Sequence, residues 1–247
     1  TDLLDIRALG ELGIKVANCG GGNSAAVAEH TIVLMLSVYR KLKLQFESVK
    51  AREWVGEVRT NWLSTAHELS GKTVGIIGLG RIGQQVARRL QGWECTLVYD
   101  DMISQTPKLE RELNVTKVSR DELLRTADIV TLHVPLMGQT KAIISARELE
   151  VMKSTAVLIN ASRGEVVQEK DLVWALNHGQ IAGAGLDVLE QEPTPPDNPL
   201  IDMDNVAITP HLASFSIESM TKTRSFAIQN ASKFANGEEP ESMVSVE

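Results

Sequence analysis

Short apolar runs alternate along most of the chain with segments in which apolar residues recur at helical spacing. Runs of strand length lie at residues 73–77, 96–99, 115–118, 128–134, 155–160, 181–186 and 206–208. Helical spacing or capping pairs lie between these runs, at residues 82–91, 107–113, 119–126, 145–152 and 169–178. Strands that alternate with helices in this way predict an α/β fold with a doubly wound parallel sheet.

The segments outside this alternation are more varied. Residues 1–18 indicate a helix followed by a short strand, and residues 217–234 indicate an amphipathic helix. Residues 25–45 predict one long helix capped by Ser24, whose centre, TIVLMLSVY, is apolar nearly all round. Such a helix is buried on more than one side, either in a core or in an interface between domains or subunits. Residues 50–69 predict short helices and loop.

A glycine motif, Gly78-Leu79-Gly80-Arg81-Ile82-Gly83, stands between a predicted strand and a predicted helix. The first glycine permits a tight turn, the second lets a pyrophosphate approach the backbone, and the third lets helix and strand pack closely. The helix that begins near Arg81 directs its free N–H groups and positive dipole end at the phosphates. Gly92 is predicted to end this helix in a left-handed cap.

An acidic residue, Asp100, ends the next predicted strand about 20 residues after the first glycine, the separation expected for a ribose-binding acid. Asp101 follows, and no lysine or arginine occurs until Lys108. Carboxylates here bind the ribose hydroxyls of NAD and repel the 2′-phosphate of NADP. The order of strand, turn, helix, strand and acid favours dinucleotide binding over a structural glycine turn, and it predicts NAD as the preferred cofactor.

Three polar residues follow later predicted strands, where ligands of parallel sheets bind: Arg163, Glu192 and His211. Histidine titrates near neutral pH and suits a proton donor, a nearby carboxylate favours its charged form, and a guanidinium clamps a carboxylate. Asp187 is a candidate acceptor for the nicotinamide carboxamide. Taken singly, Arg163 equally fits a surface cation, Glu192 a solvated loop acid and His211 a structural histidine. Taken together, on a sheet that binds a dinucleotide, the three residues predict a catalytic set.

The other histidines are interpreted individually. His30 in the apolar helix, His67 in a polar linker and His178 at a helix end are expected to be structural. His133 follows a predicted strand that stops at Pro135, so it is expected on the adenosine side of the cofactor.

Composition narrows the class of protein. The 247 residues carry a formal net charge of −7, which argues against nucleic acid or an anionic membrane as the main partner. Two cysteines without a C-x-x-C pair indicate reduced thiols and a cytoplasmic location, and no metal site is expected. The longest apolar run, residues 32–36, is too short to span a bilayer. A small-molecule substrate is therefore the expected partner.

Six segments together resemble the D-isomer-specific 2-hydroxyacid dehydrogenases: VAEHTIVLMLSVYR, GKTVGIIGLGRIGQQVA, ADIVTLHVPL with Thr140, VLINASRGEVV, AGAGLDVLEQEP and VAITPHLAS. They occur in the family's order and cover residues 1 to about 237. The resemblance implies a Rossmann-type NAD-binding domain at residues 24–213. It also implies remnants of a second, flavodoxin-like substrate domain at residues 1–23 and a C-terminal helix returning to it at 214–247.

The resemblance further implies NAD-dependent hydride transfer between nicotinamide and a D-2-hydroxyacid or 2-oxoacid, in a homodimer formed through the long apolar helix. By similarity Arg163 binds the substrate, Glu192 is the acid partner, His211 is the acid/base and Asp187 lies beside the nicotinamide. The implied cofactor-binding set is Gly78, Gly80, Arg81, Ile82, Gly83, Asp100, His133, Pro135, Thr140, Ala161, Arg163, Asp187 and His211.

Two departures from the family qualify this prediction. Family members carry strands and helices before the position of Thr1, and a substrate-carboxylate loop, which these 247 residues lack. Either the sequence is a fragment or the chain lacks a complete pocket. We therefore expect Leu4, Ile14 and Val16 to be uncovered, and this chain alone to bind NADH but to turn over 2-oxoacids poorly. HLASFS replaces a glycine-rich sequence after His211, so no particular substrate is assigned. The alternative function is an NAD(H)-sensing interaction protein, as in corepressors that share this fold, without efficient turnover.

Overall fold

The computed structural model describes residues 4–54 and 65–244 and divides the chain into two compact units. One unit comprises Thr1–Val27 and Ser214–Glu247, and the other comprises Ala28–Ala213. Half of the segment predicted as short helices and loop, at residues 50–69, lies outside the described residues.

The larger unit is built on a sheet of seven parallel strands in the order β3-β2-β1-β4-β5-β6-β7. The strands are β1 Thr73–Ile77, β2 Thr96–Asp100, β3 Val115–Lys117, β4 Ile129–Leu132, β5 Val157–Asn160, β6 Gly183–Leu186 and β7 Val206–Ile208. The helices of the chain, in order, are α1 Ile6–Glu11, α2 Ser24–Tyr39, α3 Leu42–Lys50, α4 Arg81–Leu90, α5 Pro107–Leu113, α6 Arg120–Thr126, α7 Ala146–Val151, α8 Glu169–Asn177 and α9 Ile217–Ala235. The predicted doubly wound α/β fold is confirmed.

The register of the sheet brings the ends of its central strands level. Ile77, the last residue of β1, pairs with Asp100 on β2 and with Leu132 on β4. The strand order reverses between β1 and β4, and ligands of open parallel sheets bind in the crevice beyond such a reversal. The register therefore places the ends of β1, β2 and β4 at one edge of the sheet.

The central strands are apolar on both faces because helices cover both faces of a doubly wound sheet. Every residue of β4, β5 and β6 is buried. This double burial explains why the strands appear in the sequence as continuous apolar runs rather than as alternating patterns.

The helix predicted at residues 25–45 is two helices, α2 and α3, so this prediction is wrong in its length. Lys41, between them, has a left-handed backbone with φ of 53°. Ser24 lies in the first turn of α2, and its hydroxyl donates a hydrogen bond to the Gly21 carbonyl at 2.8 Å. Leu42 continues the apolar pattern directly after Lys41. The sequence therefore did not reveal that one helix ends and another begins there.

The end of α4 also differs from the prediction. The helix ends at Leu90, a short 3₁₀ turn follows, and the left-handed residue is Glu94, with φ of 57°, rather than Gly92. Glu94 is held in this conformation by partners distant in sequence. The Ser70 hydroxyl donates to its carboxylate at 2.7 Å, and the Gly71 N–H donates to its carbonyl at 3.1 Å.

The smaller unit contains α1 and α9. The strand predicted at residues 14–17 is reduced to one antiparallel bridge between Ala17 and Met243. Leu4 and Ile14 are exposed, as expected, at 52% and 49%, whereas Val16 is half-buried. In the part of the chain that the structure describes, every helix is too short or too polar to cross a membrane.

Candidate active site

The glycine turn lies between β1 and α4. Gly78 has φ of +92°, and its N–H donates to the Asp100 carbonyl at 2.9 Å. A Cβ at Gly78 would lie 2.8 Å from the His133 carbonyl oxygen, and a Cβ at Gly83 would lie 2.2 Å from the Gly78 oxygen. Both positions therefore require glycine. A Cβ at Gly80 would meet no atom within 4 Å, so the backbone there borders open space, as approach by a pyrophosphate requires.

Two adjacent carboxylates at the end of β2 have different partners. The Asp100 carboxylate accepts a hydrogen bond from Arg120 Nε at 2.8 Å. The Asp101 carboxylate accepts hydrogen bonds from the Leu79 N–H at 2.7 Å and the Ile103 N–H at 2.9 Å. Asp101 thus fixes the middle of the glycine turn, while Asp100 is paired with a cation at the start of α6.

The turn after β4 carries three of the predicted cofactor residues. The Thr140 hydroxyl donates to the Pro135 carbonyl at 2.5 Å and accepts from the Met137 N–H at 2.8 Å, which closes the turn. His133 is buried, with Nε2 at 3.0 Å from the Thr131 hydroxyl. Burial lowers its pKa to about 3, so the imidazole is neutral. Within the described residues, His133 Nδ1 is a buried nitrogen without a hydrogen-bond partner.

Arg163 lies in the loop that follows β5. Asn160, the last residue of β5, shapes this loop: its side-chain N–H donates to the Arg163 carbonyl at 2.8 Å, and its Oδ1 accepts from the Ser162 N–H at 3.0 Å. A Cβ at the next residue, Gly164, would lie 1.9 Å from the Leu189 carbonyl oxygen. The Arg163 loop is therefore packed directly against the loop that follows β6.

The loop after β6 leads to Glu192, and the segment after β7 leads to His211. Glu192 Oε2 lies 2.6 Å from His211 Nδ1, and Glu192 Oε1 accepts from the Leu189 N–H at 3.0 Å. His211 has a left-handed backbone with φ of 55°, and its N–H donates to the Asp187 carbonyl at 2.8 Å. Because Nδ1 faces Glu192, the opposite ring nitrogen, Nε2, is the atom that can exchange a proton with a substrate.

Asp187 orders the segment around His211. Its side chain is 1% exposed and accepts from the Leu212 N–H at 2.9 Å, the Ala213 N–H at 2.8 Å and the Thr209 hydroxyl at 2.6 Å. His30 Nε2, on α2, lies 2.8 Å from the same hydroxyl oxygen. Both Asp187 oxygens are thus engaged by the protein, and the predicted contact with a nicotinamide carboxamide stays a prediction.

Comparison with known sequences identifies the family. The family model described as "D-isomer specific 2-hydroxyacid dehydrogenase, NAD binding domain" matches residues 32–213. The chain belongs to this family. The glyoxylate reductase of Korarchaeum cryptofilum is 38% identical over 249 residues, which cover 100% of this chain and 74% of the relative. The D-3-phosphoglycerate dehydrogenase of Archaeoglobus fulgidus is 39% identical over 237 residues, which cover 96% of this chain and 44% of the relative.

Solved structures agree with this assignment. The apo form of Rhodotorula graminis D-mandelate dehydrogenase superposes with a TM-score of 0.94 at 30% identity, covering 99% of this chain and 72% of that one. The chain is accordingly an NAD-dependent 2-hydroxyacid oxidoreductase with a Rossmann-type NAD-binding domain.

The residues of this dehydrogenase fit NAD on structural grounds. The open space at Gly80 and the helix that begins at Arg81 suit a pyrophosphate, and Asp100 ends the neighbouring strand. Ala161 follows β5, and the candidate catalytic residues follow β5, β6 and β7. The predicted cofactor and catalytic positions therefore share the carboxyl edge of one sheet.

Sequence reasoning missed four residues of this dehydrogenase's site: Asp101 as the support of the glycine turn, Arg120 as the partner of Asp100, and Thr209 with His30 beside Asp187. Thr209 lies within the VAITPHLAS segment, in which the pattern singled out only His211. Arg120 carried no local signal, because strand pairing brings it to Asp100.

Proposed function

We propose that this dehydrogenase reduces small 2-oxoacids to D-2-hydroxyacids with NADH and catalyses the reverse reaction with NAD. The pairing of His211 with Glu192 at 2.6 Å, on the sheet that carries the NAD-binding turn, supports this proposal most directly. When bound, NADH supplies the hydride that reduces the carbonyl carbon of the substrate. The protein must then supply a proton to the carbonyl oxygen and a site for the carboxylate.

His211 is the proposed proton donor. In reduction its protonated imidazole gives the Nε2 proton to the carbonyl oxygen, and in oxidation the neutral ring takes the proton of the substrate hydroxyl. Glu192 supports both directions because its carboxylate orients the ring through Nδ1 and stabilises the positive charge.

Arg163 is the proposed anchor for the substrate carboxylate. A guanidinium can form two parallel hydrogen bonds to a carboxylate, which fixes the orientation of the adjoining carbonyl group. The hydrogen bonds of Asn160 and the contact of Gly164 with Leu189 hold the Arg163 loop against the loop that leads to Glu192. The proposed anchor and Glu192 are therefore carried by two loops that pack against each other.

The proposed substrate class is a short 2-oxoacid rather than one named compound. The similar relatives include a glyoxylate reductase and a D-3-phosphoglycerate dehydrogenase. The two compounds in these names, glyoxylate and D-3-phosphoglycerate, differ in size and charge. The proposed roles require a substrate that has a carbonyl group next to a carboxylate. Arg163 would bind the carboxylate, and His211 would donate a proton to the carbonyl oxygen.

A homodimer through the region of α2 is part of the proposal. Val33 lies at the centre of this apolar helix and is 51% exposed, while Phe46 on α3 is 64% exposed. Exposed apolar side chains on adjoining helices favour association with a second copy. The alternative function, NAD(H) sensing without turnover, has no observation of its own in its favour, whereas the acid–base pair is what catalysis needs.

The deciding experiment is an NADH oxidation assay on the full-length protein with glyoxylate, hydroxypyruvate, pyruvate and phosphohydroxypyruvate. We expect turnover of at least one of these 2-oxoacids and loss of most of that rate in His211→Asn. Fluorescence titration with NADH provides the control, because both proteins should bind the cofactor alike. Tight NADH binding with no turnover across the panel would favour the sensing function.

A further inference from the structure

The charge around the predicted ribose acid is more balanced than the sequence suggests. Asp100 and Asp101 are adjacent, but Arg120 pairs with Asp100, and Lys117 Nζ donates to the Ser104 hydroxyl at 2.7 Å in the loop that follows them. Lys117 is the last residue of β3 and pairs in register with Tyr99 of β2. Strand pairing thus brings Arg120 to Asp100 and Lys117 to the loop that follows the two acids.

The position of Arg120 is fixed by the backbone as well as by the ion pair. The Val118 N–H donates to the Tyr99 carbonyl at 3.0 Å, which holds the segment after β3 against β2. Arg120 is the first residue of α6, and its Nε contacts Asp100 at 2.8 Å. Its side chain is 36% exposed, whereas that of Asp100 is 16% exposed. The terminal nitrogens, Nη1 and Nη2, carry further N–H donors beyond the one that Asp100 receives.

This arrangement combines the two means by which such sites choose a cofactor. An acid at the end of the second strand binds the ribose hydroxyls of NAD, and an arginine nearby accommodates the 2′-phosphate of NADP. A guanidinium matches the geometry of a phosphate and forms strong charge-assisted hydrogen bonds with it. In this chain both groups are present and are paired with each other.

We propose that Arg120 is a second determinant of cofactor choice, which binds the 2′-phosphate so that the chain accepts NADP(H) alongside NAD(H). Asp100 opposes this by repelling the phosphate and by engaging the guanidinium. The ratio of the two affinities is then set by the balance between Asp100 and Arg120. The inference depends on the dinucleotide site and not on the proposed reaction with 2-oxoacids.

The test is a set of binding titrations with NADH, NADPH, adenosine 5′-monophosphate and adenosine 2′,5′-bisphosphate. The two adenosine compounds probe the ribose end without the nicotinamide and without turnover. The variants are Arg120→Ala, Asp100→Ala and, as a matched control on the same helix, Arg125→Ala, which removes an equal charge from an exposed position. Thermal unfolding of each variant checks that the fold is retained.

For Arg120→Ala we expect NADPH and the 2′,5′-bisphosphate to bind roughly 10- to 100-fold more weakly, with NADH changed by less than about threefold, because one charge-assisted contact is lost. Asp100→Ala should act in the opposite sense, weakening NADH and raising the affinity for NADPH relative to NADH. Arg125→Ala should leave the ratio of the two cofactors unchanged. Should Arg120→Ala fold poorly, Arg120→Gln removes the charge and keeps a polar group beside Asp100.

Two results would overturn the proposal. One is an absence of measurable NADPH and 2′,5′-bisphosphate binding by the unmodified protein. The other is an Arg120 variant that lowers the affinity for both cofactors equally, which would make Arg120 a support for Asp100 alone. Failure of 2-oxoacid turnover with normal NADH binding would contradict the proposed reaction and leave this inference intact.

Discussion

Glu192 Oε2 and His211 Nδ1 lie 2.6 Å apart, and the second carboxylate oxygen of Glu192 accepts a hydrogen bond from the Leu189 N–H. The carboxylate is therefore fixed between the main chain and the imidazole. The His211 main chain is fixed separately, through its N–H to the Asp187 carbonyl. The ring and the backbone of His211 thus have independent supports, and Nε2 is the ring nitrogen that does not face Glu192.

Replacing His211 by asparagine should remove most of the turnover. The amide keeps a polar group at this position but cannot give up a proton to the carbonyl oxygen, so we expect a loss of roughly 10²- to 10⁴-fold in kcat. Steady-state kinetics measure this, and an NADH titration should show near-normal affinity. An unchanged rate would remove His211 from the mechanism.

Glu192→Gln should cost less turnover than the histidine variant. The amide can still accept a hydrogen bond from Nδ1 of His211, but it no longer places a negative charge beside the ring. We therefore expect kcat for reduction to fall, but by less than in His211→Asn, with NADH affinity near normal. Steady-state kinetics of the two variants measure this, and an unchanged kcat would mean that the charge of Glu192 plays no part in turnover.

Arg163→Lys separates charge from geometry. Lysine keeps the positive charge but cannot form the two parallel bonds of a guanidinium, so kcat/KM for 2-oxoacids should fall by roughly tenfold or more. NADH affinity should remain within about threefold, because the change is expected to act on the substrate. Equal damage to NADH binding would place Arg163 in support of the cofactor.

Gly164→Ala tests the contact between the Arg163 loop and the loop that follows β6. The added Cβ would lie 1.9 Å from the Leu189 carbonyl oxygen, so the loops must separate, and we expect a loss of roughly 1–3 kcal/mol in the free energy of unfolding. Gly138→Ala is the matched control, since its Cβ would meet no atom within 4 Å. Urea denaturation compares the two, and similar stabilities would contradict the packing described here.

His133 predicts a pH dependence of stability. Burial lowers the pKa of His133 in the folded state to about 3, while its pKa in the unfolded chain is near 6.5. At pH values between these two, the imidazole is therefore protonated in the unfolded chain but not in the folded one. Its contribution to stability is present above pH 6.5 and is lost as the pH falls towards 3. Between pH 7 and 5 the free energy of unfolding should fall about 1–2 kcal/mol more than in His133→Gln.

Urea denaturation at the two pH values provides the measurement. Most carboxylates stay ionised in this range, which isolates the histidine. Parallel behaviour of the two proteins would mean that His133 is accessible to protons in the folded state.

The strands were predictable because the sheet buries both of their faces. Val157–Asn160 is buried at every position, and a continuous apolar run directly reflects such burial. The glycine turn was predictable for a similar reason, since contacts at Gly78 and Gly83 leave no room for a side chain. Both features leave a pattern within a short stretch of sequence, even though the contact that excludes a side chain at Gly78 is made by the distant His133 carbonyl.

Other features depend on contacts between segments that are distant in sequence. These features were missed or predicted wrongly from the sequence. Arg120 reaches Asp100 because β2 pairs with β3, which no window around Asp100 contains. Glu94 takes the left-handed conformation expected of Gly92 because Ser70 and Gly71 hold it. In both cases a hydrogen bond between segments distant in sequence decides the outcome.

The bond from the Leu79 N–H to the Asp101 carboxylate has a thermodynamic consequence for cofactor association. It holds the glycine turn before any dinucleotide arrives, so little conformational entropy remains to be lost when the pyrophosphate docks. Asp101→Ala should therefore weaken NADH binding chiefly through a less favourable entropy, which calorimetry resolves. Pre-organisation of this kind means that a carboxylate engaged by the protein's own main chain can strengthen the binding of a ligand.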